Sequence, residues 1–338
     1  MLKLARGSML VLLPHSLAPL GVGALRHASA TAAQYAPLRR DPSLFAASSV
    51  SGWLDERFSQ LLTAVRRGEE APFLIEEVAS EVYTFPLLRA EACGALAAEV
   101  DHFGASGLEA RRPNSMNNYG LVLNDIGLRP ALTELQSLVQ PVLQALFPTE
   151  GAQLDDHHSF VVSYRPEEDK GLDMHTDDSD VTLNVCLGDD FEASGLTFCG
   201  NVGAPDHRQL STTYQHTPGR AVVHLGRRRH GADDIQRGRR INLIMWNYNR
   251  PYRNSAEYRA RAQFYAREAA PPAPECTSFT HDRDYAQVRG DADPQVRLKA
   301  AKFASRAWCP PPSLEYEGFR GGAGRYRAID PLHRDLMD

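Results

Sequence analysis

Apolar residues recur at helical spacing in three segments of the first half of the chain. The first predicts a helix over residues 54–67, the second a helix that starts after Pro86, and the third a helix over about 130–147. We therefore expect a helical layer before residue 150. The apolar stripe of the second helix consists of Leu88, Ala92, Leu96, Val100 and Phe103.

From residue 157 onward the pattern changes to short β-type runs that are separated by turn residues. Many short strands after a set of helices favour an α+β fold. In such a fold a jelly roll, also called a double-stranded β-helix, forms the core and the helices pack outside it. The predicted strands are 157–164, 181–187, 195–199, 211–216, 219–225 and 241–247.

After residue 250 the strand pattern stops, and the chain is interrupted by proline-rich and glycine-rich stretches. Helices are predicted at 255–268 and 294–307. We therefore expect four regions. These are a targeting segment or disordered tail (1–40), an N-terminal helical support region (41–150), a jelly-roll core (151–250) and a C-terminal extension (251–338).

Composition narrows the possible partners. The 338 residues carry a net charge of -5, which gives no electrostatic support for nucleic acid as a partner, because phosphate binding needs a clustered basic surface. We also predict no membrane span, since no apolar stretch is long and uninterrupted enough. The five cysteines are far apart and form no C-x-x-C pair, so neither a disulfide framework nor a zinc ribbon is expected.

The first forty residues contain basic residues but no Asp or Glu before Asp41, and they are rich in Ala, Leu and Ser. This composition resembles a mitochondrial or plastid transit peptide. A secretory signal is a less favoured alternative, because Pro14 and Pro19 interrupt its apolar stretch. A tail without any address in a cytoplasmic protein is the third interpretation.

A pair of candidate metal ligands stands two residues apart in His175-Thr176-Asp177. On an extended chain, residues i and i+2 project to the same side, so both side chains can reach one ion. His230 follows fifty-three residues after Asp177, which allows it to return on a facing strand. Two histidines and one carboxylate form the facial triad that holds non-haem Fe(II) with open coordination positions. We predict His175, Asp177 and His230 as metal ligands, although a His-x-Asp pair alone would also fit ordinary surface or core residues.

Arg240 stands ten residues after His230 and is a candidate clamp for the carboxylate of a keto-acid co-substrate. Strand alternation makes a prediction about its neighbours. If Arg240 points into the barrel, Asn242, Ile244 and Trp246 point the same way. The residues that should then face a covering layer are Ile241, Leu243 and Met245.

Two further polar side chains lie in apolar strands. Asn184 lies within the predicted strand 181–187, and Tyr164 ends the strand before it. A buried polar group without a partner costs roughly 1–3 kcal/mol. A bound ligand carboxylate would supply a partner for both.

The segment from about 85 to 250 resembles the prolyl/lysyl hydroxylase branch of the 2-oxoglutarate- and Fe(II)-dependent dioxygenases. Within that branch, the loop at 112–120 and the turn at 229–232 are similar to the group called 2-oxoglutarate and iron-dependent oxygenase domain-containing protein 2. One departure is Ala193-Ser194-Gly195, near the pocket rim, where related chains often carry a Gly-Gly-Glu-like turn. The motifs that carry the resemblance are Tyr164, 175–177, 181–185, 195–198, 230–232 and 240–244.

The resemblance implies iron on the three predicted ligands, with no catalytic residue beyond them, and the distal carboxylate of 2-oxoglutarate on Arg240. Tyr164 and either Asn184 or Thr182 would assist Arg240. The loop residues Asn117, Asn118 and Tyr119 are candidate substrate contacts.

The implied activity is hydroxylation of a C–H bond in a protein or peptide side chain, Pro or Lys, with O2 as a further co-substrate and ascorbate as the reductant. Two alternatives remain open. The same fold could oxidise a small molecule, or it could be a metal-binding jelly roll that acts as a non-catalytic binding protein.

Overall fold

The computed structural model describes residues 30–69, 74–114, 116–188, 190–201 and 212–260. The predicted targeting segment up to residue 29, the helix at 294–307 and the rest of the chain beyond 260 lie outside the described residues. Of the helix predicted at 255–268, residues 256–260 are helical. In the part of the chain that is described, no helix combines the length and apolar character needed to cross a membrane.

The three predicted N-terminal helices are confirmed as α1 (Glu56–Arg67), α2 (Ala90–Ala105) and α3 (Arg129–Leu146). Helix α1 begins where the Asp55 side chain accepts a hydrogen bond from the backbone N–H of Arg57, and it ends at Gly68 with a φ of +68°. A four-residue helix, α4 (Arg250–Arg253), follows the last strand. Short 3-10 helices precede α1 at Ala36–Leu38, Pro42–Phe45 and Ala47–Trp53.

The described residues also form thirteen strands. In chain order they are β1 (Glu76–Ala79), β2 (Val82–Pro86), β3 (Gly120–Val122), β4 (Asp156–Tyr164), β5 (Leu172–His175), β6 (Val181–Gly188), β7 (Phe191–Ala193), β8 (Leu196–Asn201), β9 (Thr212–Tyr214), β10 (Arg220–Leu225), β11 (Arg228–Ala232), β12 (Ile235–Gly238) and β13 (Arg240–Tyr248).

These strands form antiparallel sheets. The larger sheet has the order β1-β2-β10-β6-β13-β4-β3, and a smaller sheet has the order β5-β11-β8-β9. Strands β12 and β7 pair as a two-stranded ribbon. The fold is therefore a mixed helix and strand architecture with antiparallel sheets.

The larger sheet has a different neighbour on each face. On one face, Leu183 and Leu243 join the main core together with helix residues such as Leu132. On the other face, Phe160 and Ile244 pack against residues of the second layer. The predicted alternation along β13 is confirmed. Its outward set Ile241, Leu243 and Met245 lies in the helix-covered core, while Arg240, Asn242, Ile244 and Trp246 line a pocket.

The six predicted strands correspond to β4, β6, β8, β9, β10 and β13, but the described residues contain seven further strands that were not predicted. These are short, and several carry charged residues where alternation would need apolar ones, as in Glu76–Ala79 and Arg228–Ala232. Three of them, β1 to β3, fall within the region predicted to be a helical support. That region therefore also contributes strands to the larger sheet.

The predicted boundary at residue 40 is too late, because residues just before it are packed on the domain. Tyr35 is fully buried and its hydroxyl donates to Glu99 Oε1 at 2.6 Å. The same buried carboxylate accepts from the backbone N–H groups of Arg40 and Asp41. Glu99 lies on α2, so this network ties the chain entering the domain to that helix.

Candidate metal centre and pocket

The three predicted metal ligands meet at the smaller sheet. His175 is the last residue of β5, and His230 lies opposite it in the register of the neighbouring strand β11. Asp177 follows two residues after β5, and its backbone N–H donates to the carbonyl of Gly226 at 2.9 Å. The expectation that His230 returns on a facing strand is therefore wrong, since the two histidines lie on adjacent strands of one sheet.

The ligand atoms of this cluster converge. One atom from each of His175, Asp177 and His230 lies within 4.8 Å of the other two. His175 Nε2 is 3.4 Å from Asp177 Oδ1, and His230 Nε2 is 3.5 Å from Asp177 Oδ2. These separations suit three ligands that share one ion, because each metal–ligand bond to nitrogen or oxygen is about 2.0–2.2 Å long.

The protonation state of the cluster also suits a metal. Burial acts to raise the pKa of Asp177, but the nearby imidazoles of His230 and His175 outweigh it and hold that pKa well below its usual range. Burial lowers the pKa of His230 to about 3. His230 Nδ1 is 2.9 Å from the carbonyl of Arg228, which can only accept, so Nδ1 carries the proton and Nε2 presents its lone pair. The donor set therefore fits a divalent ion.

Hydroxyl groups orient the carboxylate of the cluster. Thr182 Oγ1 donates to Asp177 Oδ2 at 2.6 Å, and Ser179 Oγ lies 2.7 Å from Thr182 Oγ1. Such contacts to a ligating carboxylate fix its position and tune the ion that it holds. Thr182, which was expected to assist Arg240, therefore lies with the metal ligands.

A pocket opens from the metal cluster along β13 between the two layers. Its wall includes all three predicted metal ligands. Five of the other predicted site residues also line it, namely Asn117, Tyr164, Thr182, Asn184 and Arg240. The predicted substrate contacts Asn118 and Tyr119 are not among its lining residues. Tyr119 is 43% exposed, and Asn118 donates through Nδ2 to the Asp169 carboxylate at 2.8 Å. Of the three predicted substrate contacts, only Asn117 lies on the pocket wall.

Arg240 lies at the other end of the pocket and is 2% exposed. Its guanidinium carbon is 4.6 Å from the centre of the Tyr164 ring, and its Nη1 donates to the carbonyl of Ser194 at 2.7 Å. Its Nε is buried and has no hydrogen-bond partner among the described residues. Burial lowers the pKa of Arg240, although arginine stays protonated in proteins. A buried cation with an unused donor is suited to binding an anionic ligand.

The polar partner of Asn184 comes from the protein. Asn242 Nδ2 donates to Asn184 Oδ1 at 2.6 Å, so the protein itself supplies a partner for the amide oxygen of Asn184. Within the part of the chain that the structure describes, Asn242 Oδ1 and His216 Nε2 are buried without partners. Sequence reasoning did not assign a site role to either residue. For Asn242, a site role could have been inferred from its position two residues after Arg240, which places both side chains on the same face of the strand.

Comparison with known proteins supports the motif resemblance. Residues 32–152 match a family model described as an OGFOD2-like domain. The relatives found for this chain include proteins named as 2-oxoglutarate and iron-dependent oxygenases. The resemblance predicted from the motifs is thereby confirmed, and the matched family model also reaches back beyond residue 40.

Three relatives show the extent of the match. The chain is 38% identical over 232 residues to 2-oxoglutarate and iron-dependent oxygenase domain-containing protein ICU11 of Arabidopsis thaliana, covering 64% of this chain and 55% of that protein. It is 39% identical over 186 residues to 2-oxoglutarate and iron-dependent oxygenase domain-containing protein 2 of Homo sapiens, covering 54% and 53%. It is 34% identical over 143 residues to the human multifunctional procollagen lysine hydroxylase and glycosyltransferase LH3, covering 39% and 19%. The chain thus spans about half the length of the first two relatives.

Proposed function

We propose that this protein is an Fe(II)- and 2-oxoglutarate-dependent dioxygenase built on a jelly-roll core. The observation that carries this proposal is one pocket with a His-Asp-His cluster at one end and a buried arginine at the other. Two antiparallel sheets that enclose the pocket support a jelly roll. The names of the oxygenase relatives support the same chemistry.

The cluster supplies the ligands for iron. His175, Asp177 and His230 would hold Fe(II) and leave coordination positions open for co-substrates. Bound Fe(II) would supply the activation of O2, with which 2-oxoglutarate is converted to succinate and CO2 while a substrate C–H bond becomes C–OH. Thr182 keeps the Asp177 carboxylate oriented toward the site. Ascorbate is expected as the reductant that keeps the iron ferrous.

The arginine end of the pocket gives the keto acid its orientation. Arg240 would pair with the distal carboxylate of 2-oxoglutarate, and the Tyr164 hydroxyl beside it would add a hydrogen bond. Because this end is buried, the charge pair would be shielded from water, and the keto group would be directed toward the metal ligands. Arg240 Nε provides a donor that no described residue of the protein uses.

We further propose a protein or peptide side chain, Pro or Lys, as the substrate. The support is the resemblance of the motifs to prolyl and lysyl hydroxylases and the match to a relative named as a procollagen lysine hydroxylase. Oxidation of a small molecule in the same pocket is the alternative for the substrate.

The decisive experiment measures conversion of 2-oxoglutarate to succinate with Fe(II), ascorbate and O2. The wild type should show slow turnover that is uncoupled from substrate, and His175→Ala and Arg240→Ala should abolish or strongly reduce it. A wild type that binds Fe(II) but consumes no 2-oxoglutarate would make the protein a non-catalytic binder. Succinate yield with proline- and lysine-containing peptides, against a panel of metabolites, then tests the substrate class.

A further inference from the structure

The Tyr164 hydroxyl has a protein partner that reaches it from the loop before β3. Asn117 is 1% exposed, and its Nδ2 lies 3.0 Å from the Tyr164 hydroxyl oxygen. Both residues line the pocket together with Arg240. Asn117 thus lies at the end of the pocket where the co-substrate carboxylate is proposed to bind, and not with the exposed loop residues beside it.

The direction of this hydrogen bond is determined by the backbone. The N–H groups of Met116 and Asn117 both lie 2.8 Å from Asn114 Oδ1, and a backbone N–H can only donate. The amide of Asn114 must therefore present its NH2 to Asn117 Oδ1, at 3.0 Å. It follows that Asn117 presents its own NH2 to Tyr164. Rotation of either amide would bring like groups together, which fixes an assignment that is otherwise ambiguous for asparagine.

A tyrosine hydroxyl has one proton and two lone pairs. Asn117 donates to one lone pair, and the Arg240 guanidinium, which has only donors, lies 4.6 Å from the centre of the Tyr164 ring. Because the groups that these two neighbours present are donors, the hydroxyl must direct its own proton toward another acceptor. We propose that Asn114 and Asn117 are positioning residues that hold the Tyr164 hydroxyl as a donor to the carboxylate of the keto acid on Arg240. This inference rests on the proposed function.

The loop that carries the two asparagines is fixed in place on both sides. The backbone N–H groups of Asn118 and Tyr119 and the Asn118 amide all donate to the Asp169 carboxylate. The carbonyl of Tyr119 accepts from the backbone N–H of Ser163, the residue next to Tyr164. The donor on Asn117 is thus positioned before any ligand binds, and its alignment need not be achieved on binding.

The test reverses the bond with little change in shape. In Asn117→Asp a carboxylate replaces the amide, so Tyr164 donates to Asp and no longer to the ligand. We expect the dissociation constant of 2-oxoglutarate for the Mn(II)-loaded protein, measured by titration calorimetry, to rise about tenfold or more. Mn(II) affinity, measured on the same sample, should stay unchanged and serves as the control for folding.

The new negative charge of Asn117→Asp could weaken 2-oxoglutarate binding without involving Tyr164. The Asn117→Asp substitution is therefore also introduced into the Tyr164→Phe variant. If Asn117 acts through the hydroxyl, Asn117→Asp should have a clearly smaller effect in that background, as in a double-mutant cycle. Equal fold-changes in the two backgrounds, or no change in either, would overturn the inference. Asn114→Asp is a second variant, because it should turn the Asn117 amide around and weaken binding in the same Tyr164-dependent way.

A readout without ligand separates this inference from the proposed function. With tyrosines labelled at the ring carbon that bears the hydroxyl, the carbon-13 signal of Tyr164 is identified by its loss in Tyr164→Phe. In Asn117→Asp and Asn114→Asp it should move downfield, because a hydroxyl that donates to a carboxylate or an amide oxygen gains phenolate character. An unmoved signal contradicts the proposed role of Asn114 and Asn117 as positioning residues. If the signal moves downfield in these variants but the wild type binds no 2-oxoglutarate, only the proposed function is contradicted.

Discussion

His230 lies directly opposite His175 across two neighbouring antiparallel strands, and their ring centres are 4.3 Å apart. The sheet register therefore brings the two imidazoles together before any metal arrives. Asp177 completes the cluster from the loop that follows, where its backbone is bonded to Gly226. The site is thus built on strand pairing, with one ligand on a short loop held against a turn.

The first prediction concerns this register pair. His230→Ala removes a ligand from a strand whose backbone pairing is unchanged, so we expect Mn(II) affinity to fall by at least about 100-fold, with little change in far-UV circular dichroism. Calorimetric titration measures the affinity. His102→Gln on α2, remote from the cluster, should leave it unchanged. Equal Mn(II) affinity in His230→Ala and wild type would mean that the cluster is not the metal site.

The second prediction concerns the turn that holds Asp177. A Cβ on Gly226 would lie 2.0 Å from the Ser179 carbonyl oxygen, so in Gly226→Ala the loop that carries Asp177 must move. We expect Mn(II) affinity to fall about tenfold and the free energy of unfolding to fall by about 1–3 kcal/mol. Gly94→Ala is the control, since a Cβ there meets nothing within 4 Å and α2 should gain helix propensity. Unaltered metal affinity in Gly226→Ala would show that this turn does not position the carboxylate.

The cluster of predicted metal ligands could be found because the residue types of the facial triad and the His-x-Asp spacing can be read from the sequence. The bounds and pairing of the strand that holds His230 could not be predicted, since Arg228–Ala232 has a charged pattern and its pairing with β5 is a long-range contact. The hydrogen bonds between polar side chains in the pocket could not be predicted either, because they too join residues that are far apart in the sequence. Asn184 meets Asn242 across fifty-eight residues, and Asn117 meets Tyr164 across forty-seven. The alternation of side chains along a strand predicts the face of the sheet on which a side chain lies, but not the residue that it contacts there.

The third prediction concerns the turn Ala193-Ser194-Gly195, which leads from β7 to β8. Ala193 and Ser194 have φ values of +63° and +62°, a left-handed conformation that costs side-chain-bearing residues roughly 1–2 kcal/mol. The Ser194 carbonyl also holds Arg240. The turn therefore lies against the proposed carboxylate clamp.

Ala193→Gly should relieve strain and raise the free energy of unfolding by about 0.5–1 kcal/mol, after the higher entropy of unfolded glycine is allowed for. Urea denaturation measures this. Ala95→Gly within α2 should have the opposite sign, because glycine destabilises a helix interior by about 1 kcal/mol. A loss of stability in Ala193→Gly would mean that contacts of the Ala193 side chain stabilise the fold by more than the strained conformation costs.

The fourth prediction concerns the pH dependence of stability. His157 is buried between Ser159 Oγ, 2.7 Å from its Nδ1, and Thr133 Oγ1, 3.0 Å from its Nε2. Burial lowers its pKa to about 4, from 6.5. As the pH falls through 6.5 the unfolded chain takes up a proton at this residue while the folded protein does not, so the folded state loses stability until about pH 4.

His157→Gln removes the titrating group and keeps one donor and one acceptor for the two hydroxyls. Between pH 7 and pH 5 the wild type should lose about 2 kcal/mol more free energy of unfolding than the variant, because other buried histidines titrate equally in both proteins. Urea denaturation series at several pH values measure this difference. If the free energy of unfolding depends on pH in the same way in both proteins, the pKa of His157 lies near its ordinary value and burial does not lower it. A steeper loss in the variant would instead mean that protonated His157 stabilises the fold, because that outcome requires its folded pKa to lie above 6.5.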